Sequence, residues 1–253
     1  MKLPPLYNTH FPITITRDKT PLLVAGAIMN SYYEHAGIQL YHGDCRVVLP
    51  MLKVDSFDSV VADPPYGLAY NASQYPNALF AGVMTGDDAE FDPAHLLALG
   101  LPMILWGANN YANRLPRGGW LCWDKRCCEA ADRILGSPFE LAWNSDRVKY
   151  KMLRLQHGGA INADGHGIRR VHPTQKPVAL MSWCLKLLKS KHVLDPYCGS
   201  GTTLVAAKQL GLAGVGIEIE EKYCEVAAKR LEQEVLPLRL AEPPVEPCPL
   251  TLF

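Results

Sequence analysis

The chain has 253 residues, 48% hydrophobic and 20% charged, and its 25 basic and 25 acidic side chains cancel to a net charge of zero. That balance points to a soluble globular protein with a substantial core, built as one large domain or one domain with an insert. Zero net charge taken alone disfavours a nucleic-acid partner, and two other classes find no support. The apolar run Pro21–Met29 is far shorter than the roughly 20 residues of a spanning helix and has no basic leader with a cleavage site, so a cytoplasmic protein is expected. The cysteines at 45, 122, 127, 128, 184, 198, 224 and 248 show no CxxC pair and no metal-ligand spacing. They read as free thiols, and no metal site is expected.

Residues 1–37 carry several prolines and no chemical signal, and are read as an N-terminal cap. Ile38–Asp44 alternates as a strand ending in Gly-Asp, followed by an amphipathic turn through Val48, Leu49 and Leu52. Asp44 stands either at a ligand-facing strand end or as the N-cap of that turn. The stretch Phe57–Gly67 is the centre of the chain. Val60, Val61 and Ala62 suit a strand covered on both faces, and Pro64 and Pro65 end regular pairing at once. Asp63 and Tyr66 are then presented on a stiff loop with unpaired carbonyls. The plain alternative is a proline-rich turn after a core strand.

Residues 69–92 are polar and turn-rich around Gly86-Asp87-Asp88 and read as a mobile flap. Leu101–Trp106, Gly119–Trp123 and Phe139–Trp143 are three further strands whose tryptophans suit a core. From Arg147 to Lys176 the charge is lopsided, with seven basic residues against the single acid Asp164. Interleaved with Tyr150, His157, His166 and four glycines, they suit a flexible loop gripping phosphates, with Lys149, Lys151, Arg154, Arg169 and Arg170 as candidate DNA contacts. Val171–Pro177 then opens an amphipathic helix with Leu180, Cys184 and Leu188 on one stripe.

A second apolar strand, His192–Leu194, ends in Asp195-Pro-Tyr-Cys-Gly-Ser-Gly-Thr-Thr203. Gly199 and Gly201 let backbone approach a ligand, Thr202 is placed to cap a helix from Thr203 to Leu210, and Gly211 to end it. Glu218 lies nineteen residues after Gly199 on the next strand, where an acid holds ribose hydroxyls. A dinucleotide fingerprint is disfavoured because its third glycine falls at Leu204, and a phosphate-binding GxxxxGK[ST] is absent. Asp44, Asp63, Asp195 and Glu218 all sit at carboxyl ends of strands, the edge at which doubly wound sheets bind ligands. The tail beyond residue 236 is propped open by prolines and ends in Leu250-Thr-Leu-Phe253, which implies docking on this chain or on a partner.

Asp63-Pro-Pro-Tyr66 resembles motif IV of the S-adenosylmethionine-dependent amino methyltransferases. Asp195–Thr202 resembles their motif I and Val171–Pro177 their motif X. The order catalytic loop, recognition insert, cofactor loop is that of the permuted β group of DNA amino methyltransferases, over roughly residues 38–235. The resemblance implies an α/β fold with a seven-stranded, mostly parallel Rossmann-like sheet. It implies a catalytic half at 38–146, a recognition insert at 147–171, a cofactor half at 172–236 and a tail at 237–253. Asp63, Pro64, Pro65 and Tyr66 are its catalytic residues. Asp44, Thr174, Lys176, Asp195, Tyr197, Gly199, Gly201, Thr202 and Glu218 line its S-adenosylmethionine site. The implied reaction is methylation of adenine N6 in duplex DNA. N4-cytosine methylation is the nearest rival because the electronic problem is the same, but the family tends to place Ser at this position for cytosine, so Asp63 favours adenine. An idle cofactor- or DNA-binding module is the alternative from another class. The tail resembles the Gln-Leu-Ser/Asp-Leu-Phe peptides that bind the bacterial sliding clamp, with Pro249 in place of Gln. Oligomeric state is left open.

Overall fold

The computed structural model describes residues 22–24, 27–68, 86–126, 137–146, 150–156 and 175–233. Strands β1 (Leu22–Val24) and β2 (Ala27–Met29) form an antiparallel hairpin. The main sheet contains β3 (Tyr33–His35), β4 (Ile38–His42), β5 (Ser59–Ala62), β6 (Met103–Trp106), β7 (Gly119–Asp124), β8 (Phe139–Asn144), β9 (Tyr150–Arg154), β10 (His192–Asp195) and β11 (Ala213–Glu218). Their order is β3-β4-β11-β10-β5-β6-β8-β7-β9. The run from β4 to β6 is parallel throughout, while β3 and β8 pair antiparallel with their neighbours. The helices are α1 (Cys45–Val48), α2 (Ala94–Leu97), α3 (Val178–Leu188), α4 (Thr202–Gln209) and α5 (Glu221–Glu232).

Strand periodicity divides the core between the two faces of the sheet. Val61, Ile104 and Trp106 face α3, α4 and α5, where they meet Leu180, Cys184, Leu204, Ala207 and Ala227. Val60, Ala62 and Leu105 point the other way, toward α1, Leu96 of α2 and Tyr111. All four residues of β5 are buried, as its short β-branched sequence requires for a central strand covered on both sides. The tryptophans at 106 and 123 are core residues packed edge to face at 6.4 Å.

The mostly parallel α/β sheet matches the expectation, but it has nine strands among the described residues instead of seven. The additions are β3, inside the presumed N-terminal cap, and β9, inside the presumed flexible insert. Both are edge strands with mostly exposed, polar sequences. Such strands lack the apolar run that announces a buried one, and only their neighbours reveal them. Two helix starts also differ. Gly201, at φ +78°, is the N-cap of α4, and Thr202 lies within the first turn without a capping bond. Pro177 is the N-cap of α3, which begins at Val178. Gly211 follows the C-cap of α4 at φ +68°, in the expected left-handed conformation. No helix among the described residues is long and apolar enough to cross a membrane.

Candidate active site

The parallel strands β4, β5, β10 and β11 all end on one side of the sheet, and a cavity of about 610 Å³ opens there. Its walls include Asp44, Asp63, Lys176, Asp195, Gly199 and Glu218. Asp63 and the glycine loop, 136 positions apart in sequence, thus line one cavity.

Asp63 follows the last residue of β5. The Tyr66 hydroxyl donates to its Oδ1, and the Lys176 ammonium donates to its Oδ2 at 2.5 Å and to the Tyr66 oxygen at 3.3 Å. The sequence reading has these side chains presented on the loop rather than buried. Instead Asp63 and Tyr66 are half-buried and bonded to each other. Burial pushes the Asp63 carboxyl above its usual value, against the pull of Lys176 and Tyr66. Burial and the Asp63 charge likewise hold the Tyr66 phenol well up. The Tyr66 ring lies against Gly107, where a Cβ would come within 1.9 Å of it.

Two residues that the motifs did not reveal hold this constellation. Asp87, 3% exposed, accepts with one oxygen from three successive backbone N–H groups, those of Tyr66 (2.9 Å), Gly67 (2.7 Å) and Leu68 (3.2 Å). It therefore fixes the loop that carries Tyr66. Glu140 of β8 lies 3.2 Å from the Lys176 ammonium and accepts from Lys125 at 2.7 Å. Burial would raise its pKa, but Lys176 and Lys125 pull it down to about 2.

On the other wall, the Asp195 carboxylate accepts from the Tyr197 N–H at 3.1 Å and from Thr203, yet burial raises its pKa to about 7. Glu218 receives the N–H groups of Gly199 and Glu220, each at 2.8 Å. Burial nevertheless leaves its carboxyl raised. Arg230 of α5 donates to Ser200 O (2.7 Å), Ser200 Oγ (3.0 Å) and Thr202 Oγ1 (3.0 Å), pinning the turn from outside. Gly201 packs so tightly on α5 that a Cβ would meet Ala227 Cβ at 2.8 Å. His95 Nδ1 faces the Asp92 carbonyl at 3.1 Å, which can only accept, so the neutral ring carries its proton on Nδ1 and Nε2 accepts from the Tyr197 hydroxyl at 2.8 Å. Asp44 is indeed the N-cap of α1. It accepts from the Arg46 N–H at 2.9 Å and pairs with the Arg46 guanidinium at 2.7 Å, which lowers its pKa.

These features fit S-adenosylmethionine. A buried carboxyl whose pKa is raised by burial suits a cation, a tight glycine turn leaves room for backbone contacts, and a second carboxyl, Glu218, lines the same cavity. Thr174, Lys149, Arg169, Arg170 and the tail Leu250–Phe253 lie outside the described residues. Lys151 and Arg154 sit on β9, with β6, β8 and β7 between them and β5, so neither lines the cavity. No cluster of metal-ligand type occurs among the described residues, and the described cysteines are free thiols.

Fold and site together define an amino methyltransferase of nucleic acid, and comparison with known proteins agrees. A family model described as DNA methylase, the N6/N4 methyltransferase family, matches residues 123–229. The type II methyltransferase M2.DpnII of Streptococcus pneumoniae is 46% identical over 255 aligned positions, covering 83% of this chain and 95% of that protein. The type II methyltransferase M2.LlaDCHI of Lactococcus lactis subsp. cremoris is 25% identical, covering 82% and 94%. Among solved structures, the cytosine-N4-specific PvuII DNA methyltransferase shares the fold with a TM-score of 0.54 at 13% identity, covering 81% of this chain and 90% of that one. The chain belongs to the family of S-adenosylmethionine-dependent DNA amino methyltransferases.

Proposed function

We propose that the protein methylates the N6 amine of adenine, flipped out of duplex DNA. The observation that carries this reading is Asp63, rather than Ser, at the head of the Pro-Pro-Tyr loop, lining the same cavity as the glycine turn. An adenine amine is a poor nucleophile because its lone pair is delocalised into the ring. Asp63 accepts one amine N–H, for which the Tyr66 hydroxyl must turn away from Oδ1, and the Pro64 carbonyl accepts the other. S-adenosylmethionine supplies the electrophilic methyl. As the new N–C bond forms, the methyl's bond to sulfur breaks with its electron pair left on sulfur, the amine becomes cationic and strongly acidic, and Asp63 takes its proton. Tyr66 offers the flipped base a stacking face worth about 1–3 kcal/mol. Stacking at the low end of that range does not offset the few kcal/mol that extrusion costs, and phosphate contacts supply the rest. We assign those contacts to the segment 147–171, with Lys149, Lys151, Arg154, Arg169 and Arg170 as the cations. Asp195, Thr174 and Lys176 are assigned to the methionine end of the cofactor, and Glu218 and Asp44 to its nucleoside. The setting is cytoplasmic, and the tail Leu250–Phe253 is read as a docking peptide.

The test is nucleoside mass spectrometry of duplex DNA incubated with the protein and labelled cofactor. N6-methyladenine is expected, whereas N4-methylcytosine would overturn the base assignment. Asp63→Ala should abolish transfer while leaving cofactor binding largely intact, and equal loss of both would refute the role given to Asp63.

A further inference from the structure

The Lys176 ammonium touches the catalytic carboxylate, and it stands within a larger arrangement. Asp63 ends β5, Lys176 precedes α3, Glu140 belongs to β8 and Lys125 follows β7. Their charges alternate along one line of contacts at 2.5, 3.2 and 2.7 Å. Lys176 is only 7% exposed, so water does little to solvate its charge, and the two carboxylates must do so. Burial alone would lower its pKa, but Asp63 and Glu140 hold it well above the ordinary lysine value. Glu140 thus anchors Lys176 from behind, and Lys125 keeps Glu140 ionised and in place.

We propose that Lys176, held by Glu140 and Lys125, is a positioning residue for the methyl-transfer step, keeping Asp63 ionised and aimed at the incoming amine. This rests on Asp63 being the amine acceptor, and it gives Lys176 a task apart from cofactor contact. A protonated Asp63 can accept neither a hydrogen bond on that oxygen nor the product proton. Without Lys176, the half-buried carboxyl would bind a proton at much higher pH, and the reaction would lose its acceptor. Other groups face Asp63 as well: Tyr66 from its own loop, Asp195 from β10 and Tyr111 from the segment after β6. None of them carries a positive charge, so Lys176 is the cation that touches Asp63 among the described residues.

The test is the pH profile of kcat/KM for DNA at saturating cofactor, so that the titration of Asp195 drops out of view. In Lys176→Gln the acid limb should move up by at least about one pH unit, the size of the effect of an opposite charge at contact. A Lys176→Gln profile that merely scales down overturns the proposal. Thermal melting supplies a reading independent of activity. The double variant Asp63→Asn/Lys176→Gln should melt above Lys176→Gln alone, or fold where the single variant does not, because it removes the stranded carboxyl. A double variant no more stable than Lys176→Gln overturns the pairing. If the wild-type chain transfers no methyl to DNA, the functional reading fails, and the melting comparison still decides the charge pairing.

Discussion

Replacing Asp87 with alanine removes the acceptor of three adjacent N–H groups at once. Hydrogen bonds to a charged partner contribute about 1.5–3 kcal/mol each. Leu68 is 61% exposed, so water takes over its N–H, leaving those of Tyr66 and Gly67 to count. Release from burying the carboxylate offsets part of the loss, giving a net destabilisation of about 3 kcal/mol. The catalytic effect should be larger than this suggests, since the same bonds fix the backbone that carries Tyr66. A displacement of about 1 Å there is expected to lower kcat on the order of a hundredfold. Asn keeps an oxygen in place and should recover most of both quantities. Urea unfolding followed by fluorescence, with methyl transfer to duplex DNA in parallel, measures the two effects. An alanine variant within about 0.5 kcal/mol and twofold of the wild type would show that the loop holds itself, a result expected only of inert surface positions.

If Asp195 meets the cofactor's ammonium as proposed, cofactor affinity should rise with pH toward about 7, where Asp195 sheds its proton; calorimetry at pH 6 should detect proton release, and Asp195→Asn should remove the dependence. For folding the sign is reversed: the stability due to Asp195 is complete below its ordinary carboxylate value and is lost as pH climbs to about 7. Gly107→Ala places a methyl in the Tyr66 ring at a residue with φ +65°; it should cost about 2 kcal/mol from the left-handed backbone alone and depress kcat more than cofactor affinity, as steady-state kinetics would show. Gly201→Ala collides with Ala227 and should do the opposite, weakening cofactor binding in titration first. Lys151→Ala should weaken DNA binding equally on all sequences and reduce the slope of log K against log salt by about 1.

The parts that could be read from the sequence were those whose chemistry is local. The Asp63 loop, the glycine turn and the acid at Glu218 each announce themselves within a few residues. β5 and β10 are legible because buried parallel strands are continuous apolar runs. Glu140 and Asp87 could not be found in this way. Glu140 sits on an ordinary alternating strand, and only its meeting with Lys176 across the fold gives it a purpose. Asp87 looked like one acid among several in a turn, whereas its burial against the Tyr66 backbone depends on how the loop folds back. The strand β9 was masked by its own charges: a basic, exposed edge reads as a loop until β7 is seen beside it.

The strand order also bears on how the chain is made. β4 and β5 are neighbours in sequence, but β11 and β10 lie between them in the sheet. On the ribosome, both early strands emerge with inner edges unpaired, and their partners at residues 192–218 arrive only after most of the chain has been synthesised. Long-range parallel pairing of this kind is slow, and open apolar edges invite association with other chains. The nascent protein therefore passes through a long interval in which it needs protection. Asp63 cannot share a cavity with the glycine turn until that last insertion is complete, so an unfinished chain has no assembled site.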